Sequence, residues 1–287
     1  MKIPEIRIHS WGGLGSQLFA VATAFQVHRK IPWRRVVILS HSSGVTFRSL
    51  EIDYQNEWLR FEFKDDYTDK SSNLGSIQEK PRIKLSEMIK KVFTGLGFMN
   101  SLNNDNQIKG LKPWVLSVRG HYSHKKIDFE ALNFLSGVLS ISSTGGIGNQ
   151  RIGLHYRLGD LLALETKSFV SEKDLIKVVA KIRVDYSVNQ VDVFSDSQQQ
   201  ASSLLSPLEP YLRVVSLETL ATIKSLLDYE IFVGTNSKIS IWVTLLRLNI
   251  DPHSIIFLPD KSQQEVSRIL PNHDTWTNLY FFDCSSR

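Results

Sequence analysis

The 287 residues are 42% hydrophobic and 22% charged, an ordinary globular balance with enough apolar material for a large core, and at roughly 100–200 residues per domain they make one or two domains. No run of about 18 apolar residues occurs, which excludes a membrane-spanning helix. Cys284 is the only cysteine, which excludes an internal disulfide and a cysteine-rich zinc site and fits a reducing compartment. The net charge of +5 is uneven: residues 1–150 hold 20 basic and 13 acidic side chains, residues 151–287 hold 14 and 16. A basic half points to an anionic partner, and a phosphate-linked substrate or a membrane surface fits as well as nucleic acid, for which no binding motif is present.

The opening MKIPEIRIHSWGG carries charges and a proline where a secretory signal needs an apolar stretch, so a cytoplasmic protein is expected. Ile6–Ile8 reads as a strand and Leu18–Lys30 as a helix. Between them Gly12, Gly13, Leu14, Gly15, Ser16 and Gln17 form a glycine-rich turn. Glycines there permit a tight turn and a close approach of ligand to backbone, and the following helix offers N–H groups and a positive dipole end to an anion. A purely structural turn explains the same residues, and the last glycine of the dinucleotide fingerprint is absent.

Val36–Leu39 and Trp114–Val118 read as further strands, and residues 65–80 as a polar loop. Ile83, Met88, Ile89, Val92, Phe93 and Leu96 have roughly helical spacing with lysines interleaved. That pattern suits a surface helix packed on its own domain, or peripheral contact with an anionic membrane surface. His121 and His124 read as loop residues, since two histidines without further ligands make no metal site. Ser142 to Gly146, continuing to Gly148, is polar and flexible and marks a domain boundary. The expected domains are residues 1–143 and 150–287.

The second half alternates cleanly. Apolar strand-like runs at Arg151–Tyr156, Val191–Phe194, Arg213–Val215, Ile231–Val233 and Ile255–Phe257 are separated by helical patterns. Those patterns are Glu172–Val184, Gln198–Leu205, Glu218–Leu227 and Lys238–Leu248. Such alternation predicts a parallel sheet covered by helices, which binds ligands at the carboxyl ends of its strands. Three candidate sites fall there. His155, Tyr156, Arg157, Leu158, Gly159 and Asp160 close the first strand. His155 and Arg157 would share a face, and the guanidinium fork suits a phosphate. Asp160 could orient the histidine, pair with the arginine or act as a base. Ser195 and Asp196 close the next strand; the carboxylate either accepts from a ribose or base or caps the following helix. Phe232 to Ser240, with Gly234, Thr235, Asn236, Ser237, Lys238 and Ser240, joins a strand to a helix, where small hydroxyl residues suit a phosphate, or a cap by Thr235 or Ser237.

In order and spacing these motifs resemble the α1,2-fucosyltransferase family over nearly the whole chain. GGLGSQ is similar to that family's GGLGNQ, HYRLGD to its histidine–x–arginine–arginine–glycine–aspartate motif, and Ser195–Asp196 to its serine–aspartate strand end. GTNSKISIW, ending at Trp242, resembles its late motif, and GHYSHKK from Gly120 its glycine–tyrosine segment. The resemblance extends more distantly to the protein O-fucosyltransferases and α1,6-fucosyltransferases.

It implies an α/β, GT-B-like fold of two Rossmann-like domains facing a central cleft, and an inverting glycosyltransferase that needs no metal and no other cofactor. The C-terminal domain would hold a GDP-sugar donor and the N-terminal one a glycan or lipid-linked glycan acceptor. It implies further that His155 and Asp196 approach the guanine or ribose. Arg157 would bind the diphosphate with Thr235, Asn236 and Ser237, and the loop with Gly13, Gly15, Ser16 and Gln17 would lie near the donor. The expected reaction moves L-fucose from GDP-fucose to a glycan hydroxyl in α1,2 linkage, as in surface polysaccharide or O-antigen assembly, at a cytoplasmic site that allows peripheral contact with the inner membrane face. Ser16 and Leu158 depart from the family's asparagine and second arginine, and SKISIW lacks part of its aromatic late motif. Those departures leave room for another GDP-deoxysugar such as GDP-colitose, or for an inactive sugar-nucleotide-binding relative. No Asp-x-Asp is present to hold a metal on the diphosphate. Arginine and helix N-termini supply fixed positive charge instead. Asp160 is the first candidate for the base, Ser16 being too weak a base, and a loosely bound water is the alternative.

Overall fold

The computed structural model describes residues 5–43, 47, 49–66, 91–102, 108–120, 122–141, 151–158, 170–270 and 276–284. It divides into two compact units, Met1–Ile127 and Asp128–Arg287. Each is built on an all-parallel sheet.

The sheet of the first unit has strands β1 (Ile6–Trp11), β2 (Val36–His41), β3 (Leu59–Lys64), β4 (Met99–Ser101) and β5 (Ser117–Arg119), in the order β3-β2-β1-β5-β4. The central strands bury Ile6, Ile8, Val36, Val37 and Ile38 completely, the near-continuous apolar pattern of strands covered on both faces. Helix α1 (Leu14–Lys30) follows β1 and is buried on nearly every side of its first three turns. It begins four residues before the predicted Leu18, so Leu14–Gln17 are its first turn rather than a loop. Gly13, in extended conformation, precedes that turn, and His28, Arg29 and Lys30 in the last turn suit the negative end of the dipole. Buried Arg34 gathers backbone carbonyls: it donates to Pro113 (3.0 Å), Val115 and Glu5 (2.9 Å), tying the approach to β5 to the start of β1. The strand expected from Trp114 starts only at Ser117. Trp114 is half exposed, and its indole N–H bonds to the Leu96 carbonyl at 2.9 Å.

The second unit carries a six-stranded sheet, β6 (Arg151–His155), β7 (Gln190–Phe194), β8 (Leu212–Val215), β9 (Ile231–Val233), β10 (Ile255–Pro259) and β11 (Leu279–Phe282), in the order β11-β10-β9-β6-β7-β8. Counted from β6 this is the doubly wound order 3-2-1-4-5-6, whose direction reverses between the first and fourth strands. The helices are α2 (Phe129–Val138), α3 (Glu172–Asp185), α4 (Gln198–Leu204), α5 (Thr219–Leu227), α6 (Lys238–Ile250) and α7 (Gln263–Ile269). The α/β class and the parallel sheet of the second unit are therefore as expected from the alternation, and a second parallel sheet as the family resemblance implies.

α2 packs against α6, so it belongs to the second unit. The polar stretch 142–148, read as the boundary, lies outside the described residues. So do most of the 65–80 loop and residues 83–90 of the amphipathic segment.

Helix α6 organises the second unit. Residues Ile239–Leu248 are all buried, Trp242 fully. A helix apolar on all sides must be enclosed, and α2 and α5 both pack against it. Its polar members are satisfied locally: Thr244 donates to the Ser240 carbonyl (2.9 Å), and Arg247 donates to the carbonyls of Leu226, Tyr229 and Glu230 around the end of α5. Gly153 in β6 admits close packing, because a Cβ there would lie 2.8 Å from Leu226 Cδ2 and from the Tyr229 ring. Among the described residues no helix is long and apolar enough to cross a membrane.

Candidate functional site

The reversal point of the second sheet lies between β6 and β9, and the residues that follow both strands converge there. His155 ends β6 and is buried. Its Nδ1 lies 2.9 Å from Ser240 Oγ, on the first turn of α6, and 3.3 Å from Ser237 Oγ, just before it. Burial lowers its pKa from 6.5 to about 4; the Asp196 charge opposes that shift and the Arg157 charge adds to it. The ring is therefore neutral near pH 7.

Thr235, just beyond β9, crosses to the other strand. Its hydroxyl donates to the His155 carbonyl (3.0 Å) and accepts from the Arg157 N–H (3.1 Å), while its own N–H reaches Ser240 Oγ (3.0 Å). Gly234 makes this possible, since a Cβ there would stand 2.6 Å from Leu258 Cδ2 and 2.9 Å from Ser240 Cβ. Ser237 is the N-cap of α6, accepting from Ser240 N–H at 3.1 Å. Asn236 accepts from the Ser262 hydroxyl at 3.4 Å.

Beyond His155 the chain leaves the strand. Tyr156 and Leu158 are fully buried in the core of this unit. Arg157, between them, keeps a partly exposed side chain, whereas His155, expected to share its face, is buried. Asp196, after β7, fastens the segment twice. Oδ1 accepts from Leu158 N–H (2.9 Å), and Oδ2 pairs with Arg157 Nε at 2.9 Å, at an angle that makes an ion pair rather than a hydrogen bond. The helix-cap alternative for Asp196 fails, because Ser197 precedes α4 and its N–H bonds to Ser195 Oγ. His155, Arg157, Asp196, Thr235 and Ser237 are thus joined in one network; Asn236 borders it. Gly159 and Asp160 lie outside the described residues. Ser240 and Lys238, which the sequence placed in the same strand-to-helix motif without a role, enter the site here: the Ser240 side chain ties His155 to Thr235, and Lys238 stands on the first turn of α6, its pKa lowered by desolvation, which the Glu265 charge opposes. A lysine there opposes the helix dipole, which an anion would offset.

The glycine-rich turn of the first unit is arranged differently from its expectation. Gly12 has φ of +100°, and a Cβ on it would meet Ser16 Oγ at 2.8 Å. Gly13 is the N-cap of α1, and Gly15 and Ser16 lie in its first turn instead of in a loop before it. Gln17 is fully buried and spans to a neighbouring loop: Nε2 donates to the Ser49 carbonyl (2.8 Å) and Oε1 accepts from Glu51 N–H (2.9 Å). Its amide fastens that loop instead of facing a donor. The Glu51 carboxylate accepts from Leu14 N–H at 2.8 Å, so the chain's own anion already sits on the N-terminus of α1.

The same edge of the first sheet holds a cluster that sequence reading passed over. His9 and Trp11 alternate onto one face of β1, and His41, register partner of Trp11, joins them from β2. His9 Nδ1 lies 2.8 Å from His41 Nε2, and His41 Nδ1 lies 2.6 Å from Asp66 Oδ2. Trp11 stacks on His41 with ring centroids 4.6 Å apart and planes 11° apart. Burial and the charges of Arg119, His41, Lys64 and Arg7 lower the His9 pKa to about 4. Burial raises that of Asp66, but hydrogen bonds from His41 and Ser43 outweigh it and hold the carboxyl at about 2. The available signal was the pair His9 and Trp11 two apart beside the glycine turn.

No family model and no curated protein matches the chain. Among solved structures it is similar to POFUT1 in complex with GDP-fucose, with 11% identity, 86% of this chain and 95% of that one covered and a TM-score of 0.44. It is also similar to E. coli heptosyltransferase WaaC with ADP, with 10% identity, coverage of 98% and 94% and a TM-score of 0.48. A third is E. coli ADP-heptose lps heptosyltransferase II, with 8% identity, coverage of 88% and 84% and a TM-score of 0.45.

Proposed function

We propose that the chain is a sugar-nucleotide glycosyltransferase that moves a deoxyhexose, in the first instance L-fucose from GDP-fucose, to a hydroxyl of a glycan acceptor by an inverting mechanism without a metal. The observation that carries this reading is the network at the reversal point of the second sheet. A neutral buried histidine, a partly exposed arginine tied to Asp196, and the hydroxyl-rich first turn of α6 meet where a doubly wound sheet takes its ligand. The order of the motifs around it supports GDP-fucose as the donor. Arg157 and Lys238 supply fixed positive charge for the leaving diphosphate, the work that a metal does in other transferases. His155, with Nδ1 committed to α6, positions the turn beside the base or ribose. The first unit binds the acceptor, a glycan or lipid-linked glycan, and the α1,2 linkage follows the same family resemblance. A transferase for another GDP-deoxysugar is the second reading, motivated by Leu158 and Ser16 at two motif positions.

The test is thermal stabilisation by GDP, UDP, dTDP, CMP and ADP in excess EDTA. A nucleotide at 100 times its dissociation constant stabilises by about 2.7 kcal/mol. GDP is expected to stabilise, and to do so equally with and without chelator. Equal stabilisation by UDP or ADP would refute the GDP assignment, and loss in EDTA would refute metal independence.

A further inference from the structure

The strands of the first sheet run parallel, so the residues that lead into them gather at its amino edge, the edge opposite the glycine-rich turn. Trp33, Leu96 and Trp114 each stand three residues before a strand, respectively β2, β4 and β5. Neighbouring strands lie about 4.8 Å apart, so from β2 across β1 and β5 to β4 these positions span about 14 Å. Hydrogen bonds hold them together. The Trp114 indole N–H on the Leu96 carbonyl joins the leads into β5 and β4. Arg34, next to Trp33 in the chain, donates to the carbonyls on either side of Trp114, those of Pro113 and Val115. Inward positions on these leads are apolar and buried, as at Ile31, Leu111 and Val115. The outward positions are apolar as well. Trp33 and Leu96 are 58% exposed and Trp114 50%. Val92 and Phe93, one turn before Leu96, and Leu116, two residues after Trp114, are exposed with them. Single exposed apolar side chains are ordinary, but a contiguous group marks an interaction surface.

Cations surround this group. Lys30 closes α1 three residues before Trp33, and its ammonium donates to the Lys109 carbonyl. Lys112 lays its stem beside Gly97, where a Cβ would meet Lys112 Cγ at 3.0 Å and Trp114 Nε1 at 3.4 Å. Arg35 and Lys91 are exposed ahead of β2 and β4. Among the described residues the carboxylates set against them are Glu5, paired with Arg60 at 3.0 Å, and Asp53 and Glu57 ahead of β3, on the far side of β2 from Trp114. We propose that the amino edge of the first sheet docks on the surface of an anionic lipid bilayer, with Trp33, Trp114 and Leu96 at headgroup level and the surrounding lysines on lipid phosphates. Tryptophan suits that level because it combines an apolar body with one polar N–H. Basic side chains near an anionic leaflet add attraction one by one. The aliphatic members favour lipid over a nucleic acid: Val92, Leu96 and Leu116 offer no ring on which a base could stack, and hydrocarbon suits them. This surface lies outside the donor site, and its occupation needs no nucleotide.

The test uses the full chain without nucleotide, sedimented with vesicles of phosphatidylglycerol mixed with phosphatidylcholine and with vesicles of phosphatidylcholine alone. The protein should partition onto the anionic vesicles at low salt. At about 1 M salt, where charges are screened within about 3 Å, partition should fall about tenfold or more. Lipids brominated on the acyl chain should quench tryptophan fluorescence in the parent and less in Trp33→Ala. That variant, at an exposed position, should melt as the parent does and partition about tenfold more weakly. Replacing Lys109 and Lys112 together with glutamine should weaken partition at low salt by about thirtyfold. No binding to anionic vesicles at low salt, equal binding to neutral ones, or unchanged partition of both variants overturns the proposal. So does a dimer in sedimentation velocity that Trp33→Ala dissociates, which would give the surface to a second copy of the chain. A thymidine oligonucleotide that binds the parent and loses affinity for the same variants, with no vesicle binding, overturns it in favour of nucleic acid. Failure of GDP to bind the parent protein would end the donor assignment and leave each of these outcomes as decisive as before.

Discussion

Replacing Arg157 with alanine separates a ligand-binding arginine from a structural one, and the geometry sets both magnitudes. The Arg157–Asp196 pair is 2.9 Å long, with side chains 27% and 36% exposed. A pair so wet contributes about 0.2–1 kcal/mol. At about 2–4 °C per kcal/mol for a unit of this size, Arg157→Ala should lower the apo melting temperature by no more than about 4 °C. Leu158 N–H still holds Asp196 from the other oxygen, so the segment after β6 keeps its tether. The effect on nucleotide should be larger. A hydrogen bond to a charged group contributes about 1.5–3 kcal/mol, so GDP should bind roughly ten- to a hundredfold more weakly. Loss of a preorganised donor to developing charge should slow transfer about a hundred- to a thousandfold. Arg157→Lys should recover only part of either loss, because lysine keeps the charge without the paired donors. Calorimetric melting of the apo protein and GDP titration on the same variant provide the assay. A melting temperature lowered by about 10 °C with GDP affinity intact would show that Arg157 is a structural tie, and the diphosphate assignment would fall with it.

Two further outcomes follow from the same geometry. Gly234→Ala should cost about 1–3 kcal/mol in urea unfolding, because its Cβ would stand 2.9 Å from Ser240 Cβ; it should also weaken GDP by displacing the Ser240 hydroxyl from His155 and Thr235, and a variant as stable as the parent would refute the close approach. Stability should fall as pH drops from about 6.5 to about 4. His9 and His155 each have a folded pKa near 4 against 6.5 for the free side chain. The unfolded chain therefore binds more protons in that window, and folding stability rises with pH across it. Urea midpoints that are flat or rising on acidification would contradict the neutral buried imidazoles.

What could be read from the sequence depends on how far apart the cooperating residues stand. The second sheet was legible because strands buried on both faces leave unbroken apolar runs, as in Ile231–Val233, and its helices carry a 3.6-residue period between them. The strands that were missed carry weaker signals. β3 interleaves Arg60, Glu62 and Lys64 with its apolar residues, β4 spans three residues, and β11 is a four-residue edge strand. Arg157, Asp196 and Thr235 could be singled out because strand–helix alternation places them after carboxyl ends, whatever their partners. Their partners could not be foreseen. The pairing of His155 with Ser240 spans 85 residues, and that of Gln17 with Glu51 spans 34. Both are set by how helices cross the sheet, which periodicity leaves open. The Glu51 carboxylate shows the consequence. A glycine turn before a helix reads as an anion site whether the anion is a phosphate or a side chain 37 residues away, and only the fold distinguishes them. The same limit applies to the histidine cluster of the first sheet. Histidine, tryptophan and aspartate scattered at positions 9, 11, 41 and 66 form no motif. Three parallel strands in register carry them to one sheet edge, where His9 Nδ1 meets His41 Nε2 and His41 Nδ1 meets the Asp66 carboxylate.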